Sequence, residues 1–123
     1  MQVLVVDDSQ IMRRIVIGAL NKAGISDTLD APDGREAIKI LSEKNTVNLV
    51  LMDWNMPNMT GIEAIREIRA KNIKVPIIMV TTEGEKEKVI EAIKSGANDY
   101  LVKPFSPKDI QLKLEKFLKS EGQ

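Results

Sequence analysis

The sequence predicts an α/β domain of the (βα)₅ type: a doubly wound, five-stranded parallel sheet with helices on both faces. Two observations predict this class. Short runs rich in β-branched residues alternate with stretches of helical periodicity, and several runs are apolar throughout, as in strands buried on both faces. The length of 123 residues fits a single domain with one core. With 43% hydrophobic and 3% aromatic residues, that core is expected to be aliphatic.

The five strands follow one another at regular intervals along the chain. The second has the weakest pattern, and the others are bounded by polar or turn-forming residues. The predicted strands are Val3–Val6, Thr28–Ala31, Val47–Met52, Pro76–Val80 and Tyr100–Val102.

The helices between them are predicted from apolar residues at helical spacing. Residues that can cap a helix stand at several of the expected boundaries. The faces expected to be buried are Ile11, Ile15 and Ala19 in the first helix, Ile62, Ile65 and Ile68 in the third, Val89 and Ile93 in the fourth, and Ile110, Leu114, Phe117 and Leu118 in the fifth. The expected caps are Asp33 with Glu36, Thr60 with Glu63, Ser106 before Pro107, and Gly24 and Gly96 at helix ends.

The composition excludes several classes of function. Cysteine and histidine are both absent, which excludes disulfides, thiolate zinc sites, thiol nucleophiles and every triad built on histidine. Lys+Arg and Asp+Glu balance at 18 each, so no overall field attracts nucleic acid. No apolar run is long enough to span a membrane, and Asp7 comes too early for a signal peptide. We therefore expect a cytoplasmic protein that binds neither nucleic acid nor membrane.

Polar side chains stand where four of the predicted strands end. Asp7 and Asp8 follow the first strand, Asp53 the third, Thr81 and Thr82 the fourth, and Lys103 the fifth. Each signal alone has an ordinary explanation: a solvated turn for the two aspartates, a turn start at Asp53, a helix cap in which Thr82 pairs with Glu85, and a solvated lysine. Ligands bind outside the carboxyl ends of strands in open parallel sheets, so we expect these side chains to meet at one site.

The chemistry of that site points to a hard metal ion and a phosphoryl group. Three carboxylates cannot crowd together ionised without a counter-charge, and oxygen ligands alone favour Mg²⁺. A lysine and a threonine hydroxyl beside them suit an anionic group. Without histidine or cysteine, the plausible nucleophile is a carboxylate, and Asp53 is the candidate acceptor.

The motifs VLVVDDSQIMRRIV, DWNMPNMTGIEAI, PIIMVTTE and GANDYLVKPFSP together resemble the receiver domain of bacterial response regulators, over essentially the whole chain. DWNMPNM and MRRIV are most similar to the CheY-type chemotaxis regulators. The resemblance implies a flavodoxin-like strand order, 2-1-3-4-5, and a single receiver domain spanning residues 1–123 with no output domain.

The resemblance also implies the roles of individual residues. Asp53 would be phosphorylated, Lys103 would pair with the phosphoryl group, and the Lys103–Pro104 bond would be cis. The implied metal ligands are Asp8, Asp53 and the backbone carbonyl of Asn55, with Asp7 acting through metal-bound water. The implied switch and partner residues are Thr81, Tyr100, Glu83 and Trp54, of which Trp54 is expected to be an exposed ring beside the site.

The partners implied are a CheA-like sensor histidine kinase, a flagellar motor switch protein or another docking target, and a possible phosphatase; the protein is expected to be a monomer and a signalling protein rather than an enzyme. Three lysines of the last helix, Lys108, Lys113 and Lys116, together with Lys119, are expected to form a solvated face, parts of which could contact an acidic partner. Thr82 departs from the small residue common at that position in the family, and it could narrow access to Asp53.

Other functions remain open at this point. A relay intermediate would pass its phosphoryl group to another histidine protein. An Mg²⁺-dependent aspartyl phosphohydrolase of the haloacid dehalogenase type would need DxDx(T/V) after the first strand, where this chain has DDSQI. A flavin-binding protein of similar fold would need a phosphate loop in place of Asp7 and Asp8, and a P-loop nucleotidase would need GxxxxGK(S/T). The sequence disfavours the last three.

Overall fold

The computed structural model describes residues 1–54, 56, 58–82 and 86–121, with side chains described as far as residue 117. Five strands alternate with five helices. In chain order they are β1 (Gln2–Val6), α1 (Gln10–Lys22), β2 (Asp27–Ala31), α2 (Gly34–Glu43), β3 (Leu49–Asp53), α3 (Gly61–Ala70), β4 (Ile77–Thr82), α4 (Lys86–Ser95), β5 (Asp99–Lys103) and α5 (Pro107–Glu121).

The strands form one parallel sheet in the order β2-β1-β3-β4-β5, as predicted. Helices α1 and α5 contact each other on one face, while α2, α3 and α4 contact in sequence on the other. Each face of the sheet has its own aliphatic cluster, because residues of the apolar strands alternate between the two faces. In β1, Leu4 and Val6 join one cluster and Val3 and Val5 the other.

The buried face of α1 differs from the predicted one. Ile11 and Ile15 are 72% and 57% exposed, while Val16 and Leu20 are buried against the sheet. Apolar residues occupy most of the circumference of this helix, so its periodicity fits more than one face. The prediction was wrong for Ile11 and Ile15, whereas Ala19 is partly buried and packs against the cluster that contains Val16 and Leu20.

Helix α4 shows the same error on a smaller scale. Ala92 is its buried residue, Ile93 is 43% exposed, and Val89 is half-buried. A small alanine packs closely against the neighbouring elements, whereas the larger side chains on either side of it face outward. The periodicity of large apolar residues therefore missed the contact.

The predicted faces of α3 and α5 are confirmed. Ile62, Ile65 and Ile68 are buried, as are Ile110 and Leu114. Phe117 packs against the same cluster as Ile110, and the side chain of Leu118 lies outside the described part of the chain.

The helix boundaries follow the predicted caps. Thr60 and Glu63 form a reciprocal capping box, and Asp33 accepts a hydrogen bond from the Glu36 amide at 2.9 Å. Gly24 and Gly96 adopt φ of +96° and +122°, the left-handed region that favours glycine. The predicted cap at Ser106, directly before Pro107, is confirmed, and Ser106 and Asp109 bond each other reciprocally. The predicted pairing of Thr82 with Glu85 lies outside the described residues.

Over the described ranges, none of the helices has the length and apolar character needed to cross a bilayer.

Candidate functional site

Four strands deliver polar side chains to the carboxyl-terminal edge of the sheet. Asp53 is the last residue of β3, Lys103 is the last of β5, and Asp7 directly follows β1. Thr81 lies near the end of β4, where it pairs in register with β5. Because all these strands are parallel, their ends meet at the same edge, as the sequence predicted.

The three predicted aspartates form one cluster. One carboxylate oxygen from each of Asp7, Asp8 and Asp53 lies within 4.8 Å of the others. Asp7 and Asp53 are only 4% and 8% exposed, whereas Asp8 is exposed. Lys103 Nζ donates to Asp53 Oδ1 at 2.8 Å and to Asp7 Oδ2 at 3.3 Å. The side chains that looked unremarkable one by one therefore share a single site.

The electrostatic balance of the cluster is incomplete. Burial raises the pKa of Asp53, and the neighbouring charges of Asp7 and Asp8 raise it further, against the opposing effect of Lys103. Burial tends to lower the pKa of Lys103, but the hydrogen bonds and charges of Asp53 and Asp7 outweigh it, so the pKa of Lys103 is raised. Lys103 thus bonds two of the three carboxylates, Asp7 and Asp53, and among these four groups negative charge is in excess.

The carboxylate oxygens differ in what they already bind. Asp7 uses both oxygens, since Oδ1 accepts from the Ser9 amide at 2.9 Å and Oδ2 accepts from Lys103. Among the described hydrogen bonds, those of Asp53 reach only Oδ1, which leaves Oδ2 without a protein donor. Asp8 and one oxygen of Asp53 are therefore the groups best placed to bind an added cation directly.

The donor set fits Mg²⁺. All its members are carboxylate oxygens, with no nitrogen or sulfur ligand, and hard divalent cations prefer this chemistry. A bound cation would also remove the negative excess that burial makes costly. Asp8 and Asp53 could hold the ion directly, and Asp7, already committed to two donors, could act through water. The predicted carbonyl ligand of Asn55 lies outside the described residues, as does Glu83.

A cavity of about 460 Å³ opens above the aspartates. Thr82, Met12, Lys88 and Trp54 contribute to its walls, together with Thr81 and the acidic cluster. This volume is ample for a metal ion, its waters and a phosphoryl group. Thr82 is exposed and lines the cavity. Its effect on access to Asp53 stays a prediction.

The hydroxyl of Thr81 is weakly held. Thr81 is 2% exposed, and its described hydrogen bond, from Oγ1 to the Thr82 carbonyl, is 3.4 Å long. A bond of this length adds little, so the hydroxyl can turn toward a new acceptor at low cost. Thr81 lines the same cavity as Asp53, which places it within the site.

The two aromatic residues singled out from the sequence differ in their surroundings. Trp54 lines the cavity, packs partly against the core, and has Lys88 Nζ 4.6 Å from its ring centroid. It is therefore half-buried rather than the exposed ring that was expected. Tyr100 is 40% exposed, and Lys113 Nζ lies 4.7 Å from its ring centroid.

Sequence reasoning missed the part that Arg13 plays in fixing the acidic loop. Arg13 Nη1 donates to the backbone carbonyl of Asp7 at 2.7 Å, and its Nε donates to Asp30 at 2.8 Å. Ser9 caps α1 through its side chain while its amide holds Asp7. An arginine early in a helix gives no sequence signal for this role, because the carbonyl it binds belongs to the preceding strand end.

The Lys103–Pro104 peptide bond is cis, as the resemblance implied.

The lysines of α5 also differ from the predicted solvated face. Lys113, with a side chain 25% exposed, and Lys116 both pair with Asp99, at 3.0 and 3.5 Å. Lys108 is exposed, and the side chain of Lys119 lies outside the described residues. The prediction was wrong for Lys113, because spacing on one helix does not reveal a carboxylate on the adjacent strand.

Comparison with known proteins places this geometry in context. Residues 3–115 match the family model described as the response regulator receiver domain. The chain is 48% identical over 120 residues to a chemotaxis protein CheY homolog of Campylobacter jejuni, covering 96% of this chain and 92% of that protein. It is 46% identical over 117 residues to chemotaxis protein CheY1 of Helicobacter pylori strain J99, covering 94% of each.

Solved structures agree in fold. A structure of chemotaxis protein CheY4 of Vibrio cholerae matches with a TM-score of 0.85 and 38% identity, covering 94% of this chain and 97% of that one. The receiver domain of a Francisella response regulator matches with a TM-score of 0.86 and 33% identity, covering 98% of each chain. The sheet order and the helices on both faces are those of this fold.

Proposed function

The chain belongs to the response regulator receiver domain family, and from that premise we propose that it is a stand-alone regulator that accepts a phosphoryl group on Asp53 in an Mg²⁺-dependent reaction. The observation that carries the proposal is the placement of Asp53. It ends a fully buried strand, faces an open cavity, and has one carboxylate oxygen that accepts no hydrogen bond from the described residues.

The transfer uses a phosphohistidine donor on a sensor histidine kinase of the CheA type. The free oxygen of Asp53 attacks phosphorus, a P–O bond forms, and the P–N bond of the donor breaks. The electron pair of that bond returns to the imidazole nitrogen, which then takes a proton from solvent. Asp8 and Asp53 would hold Mg²⁺ directly, with Asp7 acting through water and, as the resemblance implies, the Asn55 carbonyl as a further ligand; the ion would supply positive charge that offsets the carboxylates and the phosphoryl oxygens.

Lys103 has a role before and after transfer. Before transfer its ammonium holds Asp53 Oδ1 at 2.8 Å and so fixes the carboxylate in the cavity. After transfer the same ammonium can contact a phosphoryl oxygen, since the phosphoryl group adds up to about two negative charges at this point. Its second contact, at 3.3 Å to Asp7, keeps the lysine in place during that exchange.

The switch follows from the weakly held hydroxyl of Thr81. New phosphoryl oxygens attract that hydroxyl, and its movement opens space into which Tyr100 can turn from its outward position. Both arrangements exist beforehand, and phosphorylation shifts their populations. Asn55 and Glu83, which lie two residues after Asp53 and Thr81 respectively in the sequence, would tune the lifetime of the phosphoryl group and contact a phosphatase. Trp54 would report on these changes.

The output is docking to a target in chemotaxis, most simply the flagellar motor switch. The support is that the chain covers 92–94% of the length of curated relatives named as chemotaxis proteins CheY, at 46–48% identity. We propose that the protein acts in the cytoplasm as a monomer and promotes the hydrolysis of its own phosphoaspartate, without acting on an external substrate.

Intact mass measurement with acetyl phosphate as donor tests this function. The wild-type protein should gain one phosphoryl group when Mg²⁺ is present and none in EDTA. Asp53→Asn should gain none in either condition, while Asp27→Asn, altered at the far edge of the sheet, should behave as wild type. Uptake by Asp53→Asn at the wild-type rate would refute Asp53 as the acceptor.

A further inference from the structure

Strand β5 and helix α5 share a charged cluster that the proposed chemistry does not use. Asp99 is the first residue of β5, immediately before Tyr100, and its carboxylate faces α5. Lys113 Nζ lies 3.0 Å from Asp99 Oδ1, and Lys116 Nζ lies 3.5 Å from Oδ2. The side chains of Asp99 and Lys113 are only 15% and 25% exposed, so their contact is better shielded from water than an ordinary surface ion pair, whereas Lys116 is largely exposed.

The same cluster holds the ring of Tyr100. Lys113 Nζ lies 4.7 Å from the Tyr100 ring centroid while it binds Asp99. The backbone amide of Tyr100 donates to the same Asp99 oxygen at 2.8 Å. One ammonium therefore connects the carboxylate to the aromatic ring, and a cation–π contact of this kind favours the outward ring by about two- to fivefold in population.

The lysines also line a groove on the outer surface. Lys113 and Lys116 border a cavity of about 520 Å³ whose other walls include Pro104 and the exposed Leu112. Two ammonium groups beside an apolar floor suit a partner segment that carries carboxylates next to apolar side chains. In the structure Asp99 already supplies such a carboxylate to both lysines.

We propose that Asp99 is an intramolecular latch: it occupies Lys113 and Lys116 as an acidic partner segment would, and through Lys113 it holds Tyr100 in the outward position. Release of Lys113 frees both the lysine for a partner carboxylate and the ring for its inward position. The link to a docking partner rests on the proposed function, whereas the latch itself rests on the contacts of Asp99. Burial raises the pKa of Asp99, but the hydrogen bonds and charges from α5 and the Tyr100 amide outweigh it and keep that pKa low, so the carboxylate is ionised at neutral pH.

The chain offers a direct probe, because Tyr100 is its only tyrosine. Fluorotyrosine incorporation gives a single ¹⁹F resonance that reports on this ring. In Mg²⁺-free buffer of low ionic strength, Asp99→Asn and Lys113→Met should both shift this resonance in the same direction. Asp27→Asn, which removes one carboxylate at the opposite edge of the sheet, should leave it in place. A resonance identical in Asp99→Asn, Lys113→Met and wild type would overturn the latch.

The second measurement tests competition for the lysines. A hexaglutamate peptide serves as the probe, titrated at low ionic strength where screening is weak. Asp99→Asn should bind it about two- to fivefold more tightly than wild type, the range expected when a partly exposed ion pair no longer competes. Asp27→Asn makes the same change in net charge and should bind as wild type. Equal affinities for Asp99→Asn and Asp27→Asn would show that Asp99 does not compete with the peptide for the two lysines.

Both measurements are independent of phosphorylation, since neither contains Mg²⁺ or a phosphoryl donor. An Asp53→Asn background should therefore give the same ¹⁹F shift and the same change in peptide affinity. Should Asp99→Asn fail to fold, Lys113→Met carries the ¹⁹F comparison alone, with Lys108→Gln as its control. Lys108 lies on the same helix, is exposed, and makes no described contact with Asp99.

Discussion

The amino and carboxyl ends of the sheet both hold charged side chains that are at least partly buried. Only at the amino end do these side chains find all their hydrogen-bond partners within the protein. At the amino ends of β4 and β5, Arg69 makes five hydrogen bonds through its guanidinium. They go to the carbonyls of Ile73, Val75 and Gly96 and to Asn98 Oδ1, which also accepts from the Ile77 amide at 2.9 Å. Burial lowers the pKa of Arg69, yet every contact is with a neutral acceptor of the protein.

The carboxyl end is built differently. Three carboxylates cluster there and two of them, Asp7 and Asp53, bond the same lysine; burial and the charges of Asp7 and Asp8 raise the pKa of Asp53. A half-buried charge whose hydrogen-bond donors all have acceptors, such as Arg69, needs no ligand from outside the protein. A partly buried cluster with an excess of one sign is stabilised by a ligand of the opposite sign. The comparison thus separates a structural polar cluster from a functional one by its balance of charge and bonding.

The largest expected effect is a loss of stability on removing the hydrogen bonds of Arg69 at the amino end of the sheet. Arg69→Met keeps much of the aliphatic stem and removes the guanidinium, leaving several carbonyl acceptors without a donor. Unfolding free energy should fall by about 2–4 kcal/mol, as measured by urea denaturation, because buried acceptors lose their partners. The midpoint of Mg²⁺ binding should not change. A loss below about 0.5 kcal/mol would contradict the structural importance of this network.

The next effect concerns the incomplete end. Asp8→Ala removes the exposed carboxylate that can bind a cation directly, so Mg²⁺ affinity should fall by about tenfold or more. Asp27→Ala is the control, since it removes a carboxylate far from the site. Titration followed by Trp54 fluorescence gives both midpoints. If the midpoint of Asp8→Ala equals that of the control, Asp8 is not a ligand.

The smallest expected effect is a gain in stability, whereas most substitutions lower the stability of a protein. Asp53→Asn should stabilise the Mg²⁺-free protein at neutral pH by about 0.5–2 kcal/mol, the range typical of relieving an unfavourable functional site. The pKa of Asp53 is higher in the folded protein than in the unfolded chain. The contribution of this carboxyl to the stability of the fold is therefore fully present below the unfolded pKa, and it is lost as pH rises through the folded pKa. The ionised carboxylate therefore costs stability at neutral pH.

The same linkage predicts how this gain depends on pH. The difference between Asp53→Asn and wild type should be smaller at about pH 4 than at about pH 7, because the raised pKa of Asp53 lets the wild-type carboxyl take up a proton more readily than a free aspartate does. Urea denaturation in EDTA at both pH values measures it. A difference that grows on acidification would show that the wild-type carboxylate is favoured in the fold, contrary to the account.

The strands and the acidic cluster were predictable because each rests on a local pattern. Apolar runs such as Leu49–Met52 identify strands buried on both faces, and the parallel sheet then places Asp7, Asp53 and Lys103 at one edge. No distance between residues was needed for that step. Topology alone converts separate strand ends into a site.

The rest depended on contacts that a pattern does not encode. The buried face of α1 was assigned to Ile11 and Ile15, because that helix has apolar residues around most of its circumference. Arg69 resembles any basic residue in the last turn of a helix, where a cation favours the dipole. Its five bonds arise only when α3, β4 and β5 are assembled. The pairing of Asp99 with Lys113 joins two consecutive elements, β5 and α5, but the pattern within either element does not show which of their residues face each other.

The central claim is that the carboxyl end of the sheet is completed by a divalent cation and then by a phosphoryl group on Asp53. The most direct test is the fluorescence of Trp54, the only tryptophan, which lines the cavity beside Asp53. Its emission should change saturably with Mg²⁺ and change again when acetyl phosphate is added. Asp53→Asn should lack the second change. Silence at both steps, with no gain of mass by the wild-type protein, would contradict the account.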